Sequence, residues 1–170
     1  MKNQVAVIVV SDRCAAGVRE DRCLPVFRDA FQGTNFRMVA DTIVPDDPAR
    51  IEKALREYIG AGHQLIFTTG GTGCAPRDVT PEVTSSLLDR PTPGLDEAIR
   101  RFSFGKSPHA VFSRAVSGIA GSSLVVNLPG SPRAVREILE FILPLIEHPL
   151  NLIAGRITDC AEETPSHDQS

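Results

Sequence analysis

None of the four cysteines (Cys14, Cys23, Cys74, Cys160) is spaced as a CxxC pair, and His63, His109, His148 and His167 are equally dispersed. Zinc sites and dithiol redox motifs need close, regular spacing, so neither is expected here. With no secretory signal in view, a chain of this size is expected to keep its thiols free. No apolar run reaches membrane length: residues 5–10 form a short one, closed by Ser11-Asp12-Arg13, so a membrane span is not expected. The expected setting is the cytoplasm. Basic runs are also missing. Fifteen of the 18 basic residues are arginine, but they are scattered, and the net charge is −3. A protein that tracks nucleic acid presents a basic stripe, so nucleic acid is not an expected partner.

What is present is an ordinary globular composition, 42% hydrophobic and 23% charged over 170 residues, enough for one domain with a real core. No internal repeat or linker divides it. Residues 1–157 are read as that domain and residues 158–170 as a polar, disordered tail.

The hydrophobic pattern alternates between strands and helices. Residues 4–10 and 64–69 are β-branched or apolar runs without polar alternation, as fully buried strands are. Residues 36–44 resemble another strand. Helices are expected over residues 21–31, from Pro48 along the stripe Ile51, Ala54, Leu55, Tyr58 and Ile59, and over 95–104. Asp46 or Asp47 can cap the second of these. A further helix is expected to start at Thr80-Pro81-Glu82, with Thr80 as the capping hydroxyl. Residues 115–120 and 123–128 read as a hairpin about Gly121-Ser122. Ser131-Pro132 then opens a helix that Pro144 is expected to interrupt. This order predicts an α/β fold in three layers: a mostly parallel sheet, helices on both faces, and a small hairpin. In such sheets ligands lie beyond the carboxyl ends of the strands. Ser11-Asp12, Pro45-Asp46-Asp47, residues 68–73 and residues 127–131 all follow strands and are expected to share one rim.

Gly70, Gly71, Thr72 and Gly73 form the most informative cluster. Glycines let a backbone approach a ligand closely and turn its amides toward an anion. The segment is not a Walker A loop, since no Gly-Lys-Ser/Thr follows, and Pro76 stands where a dinucleotide fingerprint needs glycine. A tight turn after a buried strand is the plain alternative. Asp78 follows just before a helix start, where it can be only a cap. Beside a phosphate loop it can instead serve Mg2+, which takes one or two protein carboxylates plus phosphate oxygens. Asp46 or Asp47 can supply the second carboxylate. Arg77 can contact phosphate or pair with an acid, and Arg100-Arg101 reads as a solvated helix face. Cys74 reads as a small buried residue rather than a nucleophile, and His109 as a surface loop residue.

Three motifs in order, Thr69-Gly70-Gly71-Thr72-Gly73, Arg77-Asp78-Val79-Thr80-Pro81-Glu82 and Asn127-Leu128-Pro129-Gly130-Ser131-Pro132, resemble the signature of the MogA/MoaB family, which includes molybdopterin adenylyltransferases and the related Cnx and gephyrin domains. Ser11-Asp12-Arg13, Val44-Pro45-Asp46 and Phe112-Ser113-Arg114 extend the resemblance over residues 4–155. It implies a molybdopterin-binding fold, commonly a homotrimer with a hexamer as the alternative. It also implies adenylylation of molybdopterin by Mg-ATP, with release of pyrophosphate and delivery to a metal-insertion partner. Carried over by position, Asp46 and Asp78 are the metal-binding, catalytic pair. Gly70, Gly71, Thr72 and Gly73, with Ser11 and Asp12, hold nucleotide phosphates. Ser113, Asn127, Pro129 and Gly130 face the pterin, although Asn127 can equally fix its own loop. Two other functions stay open: a non-catalytic pterin-binding scaffold, and a magnesium-dependent nucleotide pyrophosphatase.

Overall fold

The computed structural model describes residues 2–155; the expected tail, 158–170, lies outside them. β1 (Asn3–Val10), β2 (Phe36–Val44), β3 (Leu65–Thr69) and β6 (Ser123–Leu128) run parallel in the order β2-β1-β3-β6. β5 (Ser117–Ala120) and the two-residue β4 (Arg90–Pro91) complete the sheet antiparallel to their neighbours. Alternate residues serve opposite faces. Val5, Val7, Val9, Leu65, Phe67, Val126 and Leu128 pack under α2 (Cys23–Ala30), α5 (Pro93–Phe104) and α6 (Pro132–Ile153). Ala6, Ile8, Val10, Ile66 and Val125 pack under α3 (Pro48–Gly60) and α4 (Thr80–Leu87). The three-layer α/β expectation therefore holds, hairpin included. The continuous apolar runs of β1 and β3 follow from burial on both faces, whereas edge strand β2 alternates.

Local chemistry sets several boundaries. Asp47, not Asp46, caps α3, its carboxylate accepting from Arg50 N at 2.9 Å. That leaves Asp46 for other contacts. Asp21 precedes α2 and accepts from the amides of Cys23 and Leu24. Ser11 caps a four-residue helix, α1 (Asp12–Ala15), too short to leave a periodic signal.

Two expectations fail. Pro144 does not interrupt α6, which runs through Pro144 and Pro149. Pro144 and Glu140, whose carbonyl loses its partner there, lie on the exposed face, while Ile142, Leu143, Ile146 and Leu150 anchor both sides. Nor does Thr80 cap α4. It is the first helical residue, and its side chain turns inward.

Asp96, in the first turn of α5, is 9% exposed and accepts from Ser117 Oγ at 2.6 Å. Burial pushes its carboxyl from the ordinary 3.8 up to about 6, with Ser117 and Arg100 opposing the shift. A raised folded-state value means that the native protein holds this proton more tightly than the unfolded chain does. Stability from this site is therefore full at low pH and falls as pH rises from about 4 through 6. Asp96→Asn should remove the penalty: its advantage in thermal melts should be small at pH 4.5 and grow to order 2 kcal/mol by pH 7.5. A pH-independent difference would refute the assignment.

Candidate active site

All four clusters do follow strands of the parallel group, and they meet at its carboxyl edge. The chain passes from β1 outward to β2 and then across to β3, so the switch point lies between β1 and β3. Such a crevice is where open α/β sheets bind ligands. A cavity of about 230 Å³ opens there, lined by Ser11, Asp46, Thr69, Gly70, Gly71 and Gly130, among others.

Glycine geometry makes this junction. Gly70 (φ +104°) lies so close to Val10 O that a side chain would strike the β1 backbone. Gly71 (φ +64°) sits directly against Thr80 Oγ1, and a Cβ there would also come within 3.3 Å of Asp46 Oδ1. L side chains rarely adopt either backbone conformation. Gly130 is packed on Gly70, and the loops are bonded through Gly70 N to Leu128 O (3.0 Å) and Thr69 Oγ1 to Pro129 O (2.7 Å).

Asp46 and Asp12 exchange hydrogen bonds. Asp12 N donates to Asp46 Oδ2 at 2.8 Å, and Asp46 N donates to Asp12 Oδ1 at 3.0 Å. Arg77 pairs with Asp12 Oδ2 at 2.7 Å and reaches Asp46 O at 3.4 Å. Of its two sequence readings, acid pairing is the one found. At the other end of the glycine loop, Asp78 Oδ2 accepts from Ala75 N at 2.8 Å and lies 2.8 Å from where a Cβ on Gly73 would stand. The two aspartates thus flank the glycine loop.

Ser113, Asn127 and Pro129 line a second cavity, of about 430 Å³, with Arg100, Lys106 and Arg133. Adjacent residues Pro129 and Gly130 face the two cavities, so Gly130 stands with the glycine loop rather than with Ser113. Asn127 is 1% exposed. Its Nδ2 donates to Thr68 Oγ1 and Thr84 Oγ1 at 2.8 and 2.9 Å, and its Oδ1 accepts from Val116 N. It ties strands and helix together at the cavity floor. Arg100 is no solvated helix residue: it donates to Ala115 O and enters the cavity wall. Cys74 is exposed rather than buried, with its thiol directed at Phe112 O.

Sequence reasoning gave Arg114 no role. Its backbone N donates to Thr72 O, its Nε to Gly73 O at 2.7 Å, and its remaining nitrogens to Asp78 O and Glu82. One guanidinium thereby fastens the glycine loop to the start of α4. Only its place beside Ser113 in a family motif could have flagged it, because these partners are 32 to 42 residues away in sequence.

The family described as a probable molybdopterin binding domain matches residues 6–148. The chain belongs to this family. The chain is 38% identical over 146 residues to the molybdopterin adenylyltransferase of Haemophilus influenzae, covering 81% of the chain and 71% of that protein. Gephyrin of Dictyostelium discoideum is 36% identical over 162 residues, 89% of the chain. The chain spans 23% of gephyrin, and 49% of a bifunctional molybdenum cofactor biosynthesis protein from Chlorobaculum tepidum. Among solved structures, MoaB from Thermus thermophilus aligns with a TM-score of 0.85 at 45% identity, over 89% of this chain and 96% of that one.

Among the described residues no group of three or more His, Cys, Asp or Glu side chains could hold a metal. What the glycine loop has beside it is separate carboxylates. No helix among the described residues is long and apolar enough to cross a membrane.

Because Arg114 bridges Thr72, Gly73 and Asp78, Arg114→Gln should loosen the loop more than the fold. The expected cost is about 1–3 kcal/mol, with faster amide exchange concentrated in residues 72–78. Exchange rates unchanged in that segment would count against the clamp.

Proposed function

We infer that this domain transfers the adenylyl group of ATP to molybdopterin and releases pyrophosphate. The observation that carries the reading is the placement of Asp46 Oδ1 against Gly71 at the strand-switch cavity. Its relatives named molybdopterin adenylyltransferase support it.

Hard carboxylate oxygens beside a loop able to take phosphate suit Mg2+, which keeps several waters and binds few protein groups. Asp46 and Asp78 would hold it. When bound, the ion supplies charge neutralisation to the triphosphate. Gly70, Gly71, Thr72 and Gly73 bring backbone amides to the phosphates, and α4 presents its positive end just behind. Ser11 lines the same cavity, whereas Asp12 acts by holding Arg77 and the Asp46 amide.

The 430 Å³ cavity, polar through Ser113 and basic through Arg100 and Lys106, with Arg133 paired to Glu137 on the same wall, would seat the anionic pterin. Pro129 and Gly130 form the partition across which the two substrates meet. In-line attack by a substrate oxygen on the α-phosphorus then forms one P–O bond as the bond to pyrophosphate breaks. Such transfer rests on positioning and charge compensation. A homotrimer or hexamer in the cytoplasm, passing its product to a metal-insertion partner, completes the reading.

Purified protein mixed with molybdopterin and Mg-ATP should accumulate adenylylated pterin and stoichiometric pyrophosphate. Pterin binding without ATP cleavage would indicate a scaffold, and cleavage without pterin a pyrophosphatase. Asp78→Asn should reduce turnover by at least about a hundredfold with an unchanged melting temperature, the size expected when a charge-stabilising group is lost. Full activity in that variant would remove Asp78 from the reaction.

A further inference from the structure

Thr80 is completely buried, and its Oγ1 is one of the few buried polar atoms among the described residues with no hydrogen-bond partner. Leaving a hydroxyl unpaired in the interior is unfavourable, and valine would fill the same volume without that cost. The hydroxyl is also not in a random place. It lies directly beneath Gly71, in the space a side chain there would need, and Asp46 Oδ1 borders the same space. Asp46 Oδ1 is the carboxylate oxygen that the Asp12 amide does not engage. The Thr80 backbone is tied to the same glycine, its N–H donating to Gly71 O at 3.2 Å. Thr80 and Asp46 therefore approach each other only across a residue without a side chain, in a turn of two consecutive left-handed glycines.

We propose that Thr80 is a positioning residue for Asp46: when triphosphate and a divalent ion settle on the Gly70-Gly71 turn, its hydroxyl donates to Asp46 Oδ1 and fixes that carboxylate. The inference rests on the reading of Asp46 as an ion-binding carboxylate. A group that orients a metal-binding carboxylate through a hydrogen bond changes ion affinity without touching the ion. It leaves the fold alone, because the ligand-free hydroxyl contributes nothing to stability. A residue that merely fills the core would show the reverse pattern.

The test compares wild type, Thr80→Val, Thr80→Ser and Asp46→Asn. Mn2+ binding is followed by electron paramagnetic resonance with a non-hydrolysable ATP analogue, and melting temperature is measured without ligand. Thr80→Val should bind Mn2+ about tenfold more weakly while melting at the same temperature or higher. Thr80→Ser should keep wild-type affinity, and Asp46→Asn should lose most of it. Undiminished affinity in Thr80→Val beside a loss in Asp46→Asn would overturn the positioning role alone. Undiminished affinity in Asp46→Asn would instead remove the carboxylate on which both readings stand. Equal losses in the valine and serine variants, with lowered melting temperatures, would assign Thr80 to packing and also overturn the proposal.

Discussion

Close approach of three backbone segments at the carboxyl edge of the sheet is the constraint on which the site depends. Gly70 rests on the end of β1, Gly71 lies on the start of α4, and Gly130 packs on Gly70. A Cβ at either of the first two would collide with backbone or with Thr80, so the loops after β1, β3 and β6 would separate. Asp46 Oδ1 and Thr80 come this near the turn because Gly71 has no side chain. The surrounding core then holds the arrangement. β1, β3 and β6 are buried on both faces, and full burial of one side chain such as Phe67 contributes roughly 1.5–3 kcal/mol.

Charge is arranged around this junction in two ways. Arg77 and Arg114 are structural cations. The first ties Asp12 and the Asp46 carbonyl together, and the second binds three separate stretches from Thr72 to Glu82. Both positive charges are paired with protein carboxylates. Arg100, Lys106 and Arg133 line the neighbouring cavity together. Two of these also hold protein groups, Arg100 the Ala115 carbonyl and Arg133 the Glu137 carboxylate. Asn127 belongs to the structural set by its bonds, although it forms part of the cavity wall.

The fold was legible because its signals are local. Runs without alternation marked β1 and β3, Pro48 after Asp47 marked α3, and Gly121-Ser122 marked the hairpin. The meeting of the four clusters was legible as well, since their loops follow strands and parallel strands bring such loops to one edge. Individual roles were less accessible. Arg114 meets partners tens of residues away, and Arg100 faces a cavity that exists only after α5 docks. Asp46 and Asp47 are indistinguishable as caps until the turn after β2 assigns one to the helix and the other to the rim. Thr80 reads as a capping hydroxyl before Pro81, but packing turns it inward under Gly71. Pro144 breaks helices by its own covalent geometry, and burial on the opposite face of α6 overrides it.

Sequence by itself determined the order of strands and helices, the family, and the glycines and aspartates that gather at one edge of the sheet. Those properties are written in periodicity, turn residues and motif spacing, all within a few residues of one another. Tertiary structure decided which carboxylate oxygen faces the glycine turn, which arginines are tied into the fold, and that Pro129 and Gly130 divide two adjoining cavities. Each of these is a matter of direction and distance between segments far apart in the chain, set only when both faces of the sheet are covered.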